Sequence, residues 1–199
     1  MQAKVQQWIS ITGRLFGTLF YYEPTTPQAQ AVLALFKQQD WYEQLDVVIS
    51  PIVATRLTEQ KDLSEQYQTL FIGPNTLFAP PWGSVYLDPE SVIFGCSYLE
   101  LRSFLRKHRI EFSLAEKREA EDHFGLMLML SAYLAENKPE LLNEYLSQHF
   151  LIWSSRYLQL LSEQTEQPFY QALSELTQQI LQKWQEWLLL EIPRVQFYR

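Results

Sequence analysis

Side chains at spacings of three and four recur along most of the chain, and this periodicity limits the fold more than any other feature. In the first twenty residues one helical face is formed by Val5, Trp8, Ile9, Thr12, Leu15, Phe16, Leu19 and Phe20. Near the other end an apolar stripe is formed by Leu173, Leu176, Ile180, Trp184, Trp187 and Leu188. This spacing is typical of amphipathic helices, and no segment sustains the alternation of a strand. The sequence therefore predicts an all-α protein, a helical bundle.

Prolines, glycines and capping residues divide the pattern into helices. Pro24 should end the first helix near Tyr22, and Thr26-Pro27 should cap and begin a second helix that runs to about Gln39. Further helices are predicted between Asp62 and Gly73-Pro74, from Asp88-Pro89-Glu90, and over about 97–107 with Ser97 as cap, 116–136, 139–149, 153–164 and 168–190. Gly13 and Gly17 lie one turn apart and are expected to allow close helix packing. At 199 residues, the chain is expected to form one domain, 1–199.

Composition excludes several classes of protein. A net charge of −7 argues against a general nucleic-acid binder and favours a partner that brings positive charge. Cys96 is the only cysteine, so an intrachain disulfide is impossible, and we expect it to be a small buried residue. The first residues contain no apolar run of signal-peptide length, and no segment approaches the roughly 20 apolar residues of a membrane span. A soluble, cytoplasmic protein is expected.

The parts that common enzymes need are missing. The histidines His108, His123 and His149 form no metal-binding pair, and no Glu-x-x-His motif, nucleophile elbow, Walker loop or dinucleotide fingerprint occurs. Asp122 and His123 are neighbours, which do not face each other in a helix, whereas Glu119 could share a helical face with His123. The sequence predicts no catalytic residue, no metal and no cofactor.

The segment between Gly73 and Asp88 is unusual because it is long, rich in proline and yet aromatic. The residues before Pro80 and Pro81 are pushed into extended conformation, so Trp82 should lie in a stiff loop. Two interpretations are open. The aromatic side chains could pack this loop onto the helical core, which is what we expect of Phe78. Alternatively, the loop could form a preordered apolar groove that binds a peptide.

Two separated motifs resemble those of the DmsD/TorD family of redox-enzyme maturation chaperones. The first is Tyr67-x-x-Leu70-Phe71-x-Gly73-Pro74 followed by Pro80-Pro81-Trp82-Gly83-Ser84-Val85-Tyr86-Leu87-Asp88. The second is Glu119-x-Glu121-Asp122-His123-Phe124-Gly125. The similarity extends over the whole chain and is closest to the branch that matures dimethyl sulfoxide reductase.

The resemblance implies an all-helical cytoplasmic chaperone that binds the twin-arginine leader peptide of a molybdoenzyme catalytic subunit. It would assist folding, cofactor loading and targeting of that precursor to the Tat export pathway. Contact with Tat translocon components is compatible with this role, and so is either a monomer or a homodimer. The implied leader-binding residues are Tyr67, Leu70, Phe71, Pro80, Pro81, Trp82, Gly83, Ser84, Glu119, Glu121, Asp122 and His123. The alternative client is the precursor of a trimethylamine N-oxide or nitrate reductase.

Two positions depart from the family pattern. Asn75 stands where relatives can have an aromatic residue, and Ala120 stands where the motif normally has proline, which should lengthen or straighten the start of the long helix. In the implied site, carboxylates near Asp122 would bind the guanidinium groups, and Leu70, Phe71 and Trp82 would form an apolar floor. If His123 contacts the arginines, affinity should rise between about pH 6 and 8 as imidazole loses its proton.

Overall fold

The computed structural model describes residues 2–38, 40–111 and 119–199, with the backbone alone at Gln2 and Gln44. The α-helices are α1 Gln2–Tyr21, α2 Pro27–Leu33, α3 Pro51–Glu59, α4 Leu63–Tyr67, α5 Gly83–Leu87, α6 Cys96–Lys107, α7 Phe124–Asn137, α8 Pro139–Tyr145, α9 Leu151–Ser162 and α10 Pro168–Leu188. Short 3-10 helices cover Leu35–Lys37 and Trp41–Leu45, and π-helical turns cover Gln68–Ile72 and Leu146–Phe150. Within the described ranges no strand forms, so the all-α prediction is confirmed.

Helices α1 and α7 pack against each other along their length, and glycines set their separation. A Cβ atom added at Gly13 would lie 2.6 Å from the Leu128 carbonyl oxygen, and one added at Gly17 would lie 2.8 Å from that of Gly125. Both distances are too short for any side chain. The expectation that Gly13 and Gly17 allow close helix packing is therefore confirmed.

One hydrophobic cluster runs through the helices and reaches the segment before α5. Its largest fully buried side chains include Trp153, Trp184, Tyr86 and Tyr157. The rings of Tyr86 and Trp153 stack with their centroids 5.6 Å apart. Most of the aromatic residues are thus ordinary core residues. No helix in the described part of the chain is long and apolar enough to cross a membrane.

Several helices begin or end where nearby capping residues and prolines predict it. The side chain of Thr26 caps α2 as predicted, accepting a hydrogen bond from the Ala29 amide. Helix α1 ends at Tyr21, and prolines open α8 and α10. Gln39, the predicted end of the second helix, lies outside the described residues, but the α-helix ends at Leu33 and is followed by a 3-10 turn.

The predicted start of the long helix is wrong. The helix begins at Phe124, and residues 119–123 are not helical; residues 116–118 lie outside the described part of the chain. Ala120 therefore does not lengthen the helix, and Glu119 and His123 do not share a helical face. The reason is a contact between segments that are distant in the sequence: the backbone around Asp122 and His123 pairs with the segment around Trp82 instead of forming helix.

Four expectations around α5 and α6 also need correction. The segment after Gly73 is not wholly irregular, because α5 starts within it at Gly83. No helix starts at Asp88; its carboxylate instead accepts hydrogen bonds from the Cys96 amide and the Ser97 hydroxyl, which caps α6. Helix α6 consequently begins one residue before Ser97. Cys96 is exposed at that helix start rather than buried.

Candidate functional site

The two sequence motifs meet through their main chains. Trp82 and His123 form an isolated antiparallel bridge. On either side of it, the Gly83 amide donates to the Asp122 carbonyl at 3.1 Å and the Phe124 amide donates to the Pro81 carbonyl at 2.7 Å. Trp82 has the extended backbone that such pairing needs, with φ −116° and ψ 131°. The bridge makes one site out of two segments that are distant in sequence.

Asp122 turns its side chain inward and caps α5. Its Oδ2 accepts a hydrogen bond from the Ser84 amide at 2.8 Å, and only 3% of the residue is exposed. Its Oδ1 is buried and makes no hydrogen bond with the residues that the structure describes. Burial raises the pKa of this carboxyl, and the hydrogen bond from the Ser84 amide opposes that change. Asp122 is thus a buried cap, held at a cost to its charged form.

His123 plays the corresponding part for α7. Its Nδ1 accepts a hydrogen bond from the Gly125 amide at 3.2 Å, which requires that nitrogen to carry no proton. The centroid of its ring lies 5.4 Å from that of Tyr21 and 6.1 Å from that of Trp82, and both pairs of ring planes are nearly perpendicular. Protonation at Nδ1 would remove the cap.

The carboxylates at the surface of the site are those of Glu119 and Glu121. Glu119 accepts a hydrogen bond from the Trp82 indole N–H at 2.8 Å. Glu121 accepts one from the Tyr98 hydroxyl at 2.6 Å and lies 3.6 Å from the Arg102 guanidinium. Both glutamates and Trp82 are partly exposed. A cationic ligand would therefore meet these two carboxylates and the indole first.

Burial and the carboxylates of this corner raise the pKa of two neighbouring tyrosines. The pKa of Tyr21 is raised to about 12, first by burial and then by the charge of Glu119. The pKa of Tyr98 is also raised to about 12, by burial and then by its hydrogen bond to Glu121. Burial is the larger cause for both tyrosines, and the nearby carboxylate adds to it.

Of the residues expected to form an apolar floor, Leu70 and Phe71 lie beneath the surface, whereas Trp82 is partly exposed. Leu70 and Phe71 belong to the buried cluster, and the Tyr67 hydroxyl donates to the Tyr21 carbonyl at 2.7 Å. Pro80 and Pro81 are buried as well. These side chains support the site from inside the molecule.

Phe78 does not pack onto the core, so the expectation for this residue is wrong. It is 49% exposed, on the loop that leads into Pro80 and Pro81. The preceding Ile72 is 58% exposed. The exposed apolar side chains near the site are thus Ile72 and Phe78, and not Leu70 and Phe71, which the first motif contains.

Gly83 and Ser84 complete the first motif as packing positions. A Cβ atom added at Gly83 would lie 2.7 Å from the Trp153 indole nitrogen, so any other residue would displace that ring. Ser84 is 1% exposed, and its amide is the group that Asp122 caps. Both residues hold the start of α5 in place.

Sequence reasoning missed several residues of the site. Tyr21 and Tyr22 lie edge to face at the end of α1, where the tyrosine pair before Pro24 was the available signal. Tyr98 and Arg102 reach Glu121 from α6, and nothing local in the sequence indicates that contact. Across the residues that the structure describes, no three histidine, cysteine, aspartate or glutamate side chains are grouped to hold a metal ion.

Comparisons with known proteins relate the chain to a family model and to a solved structure. Residues 37–188 match the family model described as "Nitrate reductase delta subunit". A solved structure described as "a putative redox enzyme maturation protein from Archaeoglobus fulgidus" has the same fold, with a TM-score of 0.56, 20% identity, and coverage of 85% of this chain and 93% of that one. That protein and this chain therefore share an all-α fold.

Closer relatives identify the family. The Haemophilus influenzae protein named "Probable Tat proofreading chaperone DmsD" is 49% identical over 100% of both chains. The Salmonella typhimurium "Tat proofreading chaperone DmsD" is 39% identical over 96% of this chain and 95% of that protein. The chain belongs to the DmsD/TorD family of redox-enzyme maturation chaperones. It is a chaperone of redox enzymes and not an enzyme itself.

Proposed function

We propose that this chaperone acts in the cytoplasm as one domain and binds the twin-arginine leader peptide of a molybdoenzyme catalytic subunit, most closely that of dimethyl sulfoxide reductase. The binding surface is the corner where the two motifs meet. The observation that carries the proposal is the pairing of Trp82 with His123, because it brings an indole ring and the carboxylates of Glu119 and Glu121 to one surface.

The chemistry of a twin-arginine leader fits this corner. Guanidinium groups form charge-assisted hydrogen bonds with carboxylates, and each is worth about 1.5–3 kcal/mol when sheltered. Glu119 and Glu121 are accessible enough to bind them directly. Trp82 presents a ring face for a guanidinium or for the apolar residues that follow the arginine pair. The net charge of −7 favours the approach of a cationic peptide.

The implied site residues divide into two groups in this proposal. Trp82, Glu119 and Glu121 would touch the leader. The buried members position them: Asp122 and His123 cap the two helices, and Tyr67, Leu70 and Phe71 support them from the core. This division replaces the simpler expectation that every motif residue contacts the ligand.

Titration calorimetry with synthetic leaders tests the proposal. The native leader should bind, and a leader with both arginines changed to lysine should bind at least about tenfold more weakly, because lysine lacks the planar fork that matches a carboxylate. Trp82→Ala should also weaken binding at least about tenfold, which corresponds to about 1.4 kcal/mol. The matched control is Trp187→Ala, which removes a partly buried tryptophan from α10.

Different results would point elsewhere. Equal affinity for the arginine and lysine leaders would contradict guanidinium recognition. Equal losses in Trp82→Ala and Trp187→Ala would indicate general destabilisation instead of a binding surface. A stronger response to leaders of trimethylamine N-oxide or nitrate reductase would keep the mode of binding and change the client.

A further inference from the structure

The loop that carries Phe78 and leads into Trp82 has few backbone hydrogen bonds of its own. Residues 74–80 make no backbone–backbone hydrogen bond with any residue in the described part of the chain. At the start of the loop, the Gln68 side chain donates to the Gly73 carbonyl at 2.6 Å. At its end, the Phe124 amide binds the Pro81 carbonyl. Ala79 and Pro80 are buried at the end of the loop, whereas residues 74–76 and Phe78 are exposed. A contact from another part of the chain holds the exposed residues.

The contact comes from residues 190–199, a non-helical segment after α10 that we call the strap. The Arg199 guanidinium donates through Nη2 to the carbonyl oxygens of Leu77 and, at 3.3 Å, Phe78. One side chain thus fixes two consecutive peptide groups of the loop. An arginine suits this purpose because it is always charged and carries several donors.

The strap is itself anchored next to α5. The Tyr198 amide donates to the Tyr86 carbonyl at 3.0 Å, and the Arg156 guanidinium on α9 donates to the Arg199 carbonyl at 3.0 Å. Near the end of α10, Leu190 and Ile192 pack against the hydrophobic cluster. These contacts fix the position of Arg199, and its hydrogen bonds to Leu77 and Phe78 fix the position of the loop.

We propose that Arg199 is a positioning residue for leader binding. Acting through the carbonyls of Leu77 and Phe78, it holds the loop so that Phe78 stays on the surface and Trp82 stays paired with His123. The inference rests on the proposed function, because the loop matters only if the leader binds at this corner. Without the tether the loop would sample other conformations, and binding would have to order it again.

Limited proteolysis measures the tether without any leader. Chymotrypsin cleaves after aromatic residues, and the carbonyl of the bond after Phe78 is one of the two that Arg199 holds. Arg199→Ala should speed cleavage after Phe78 by about fivefold to tenfold, the effect expected from losing charged hydrogen bonds. Phe94 is 59% exposed, and cleavage after it should not change. Arg194→Ala, an exposed arginine of the strap, is the matched control.

Leader titration measures the consequence. Arg199→Ala should weaken binding of the native leader by about fivefold or more, while its thermal midpoint stays within about 2 °C of that of Arg194→Ala. Arg199→Lys keeps a cationic donor and should restore part of the affinity. That rescue separates positioning of the loop from a general loss of packing.

The outcomes distinguish this inference from the function on which it rests. If the native leader binds equally well to Arg199→Ala and Arg194→Ala, the positioning role is wrong and the leader-binding proposal stands. The same conclusion follows if cleavage after Phe78 does not accelerate. If the unaltered protein binds no leader, the proposed function is wrong and the positioning role falls with it.

Discussion

The α1–α7 interface and the corner around Trp82 both join segments that are distant in the sequence, but different interactions specify them. In the interface, two regular helices approach closely at Gly13, Gly17 and Gly125. At the corner, two non-helical segments are joined by a backbone bridge and by the side chains of Asp122 and His123. The interface depends on the absence of side-chain volume, whereas the corner depends on particular polar groups. Volume changes should therefore damage the first, and charge changes should alter the second.

The largest effect on stability is expected from Gly17→Val. Glycine lowers helix stability by about 1 kcal/mol relative to alanine, so propensity alone favours replacing it. The contact opposes this, because a Cβ atom there would lie 2.7 Å from the Met129 Cγ and 2.8 Å from the Gly125 carbonyl oxygen. Overpacking of this kind should lower the free energy of unfolding by about 3 kcal/mol. Urea unfolding followed by circular dichroism measures it.

The control is Gln7→Val, which places the same side chain at an exposed position of α1. It should change the free energy of unfolding by less than about 0.5 kcal/mol. Equal stability of the two variants would mean that α1 and α7 are not held together by their close approach.

The same comparison explains how much the sequence could predict. Periodicity and capping residues are local, so the end of α1 at Tyr21, the Thr26 cap and the proline-opened helices followed from nearby residues. The glycine pair in α1 could be interpreted correctly for the same reason. The all-α fold therefore follows from local patterns in the chain.

The errors lie where a distant group decides the local conformation. The residues just upstream of Phe124 are almost all polar or charged, and the backbone of Asp122 and His123 pairs with the segment around Trp82 instead of forming the predicted helix. Helix α5 starts directly after Trp82 because the carboxylate of Asp122 caps it from another part of the chain. No local pattern reveals that Asp122 points inward or that Arg199 reaches Phe78. The motifs located the site, while the directions of its side chains depend on contacts between distant segments.

A smaller effect, with a defined dependence on pH, is expected for Asp122→Asn. Burial raises the pKa of Asp122, so the folded state takes up a proton more readily than the unfolded state. The free energy of unfolding should then fall as pH rises from 3.8, the ordinary pKa of an aspartate, through the raised pKa. Asparagine removes this fall, and its amide oxygen can still accept the Ser84 hydrogen bond. The stability of the variant relative to the unaltered protein should therefore increase from about pH 4 towards pH 7.

Asp88→Asn is the control, because Asp88 is also a buried helix cap but both of its oxygens accept hydrogen bonds, from Cys96 and Ser97. It should lose stability by about 1 kcal/mol, because two hydrogen bonds to a charged group become neutral ones while the Ser97 hydroxyl turns to accept from the amide nitrogen. Asp122 is assigned as a buried carboxyl with a raised pKa. This assignment would be contradicted if the stability difference between Asp122→Asn and the unaltered protein did not vary with pH.

The smallest effect should come from the exposed rim of the helical interface. Glu136 on α7 accepts hydrogen bonds from Arg14 and Ser10 on α1, and these contacts lower its pKa. Because Arg14 and Glu136 are largely exposed, water and salt screen their attraction, and the pair should contribute less than about 1 kcal/mol. That contribution should be present at neutral pH, disappear as Glu136 is protonated in acid, and shrink at high salt. A double-mutant cycle of Arg14→Gln and Glu136→Gln measures the coupling. A value close to the loss in Gly17→Val would mean that the ion pair, and not the glycine contact, holds α1 against α7.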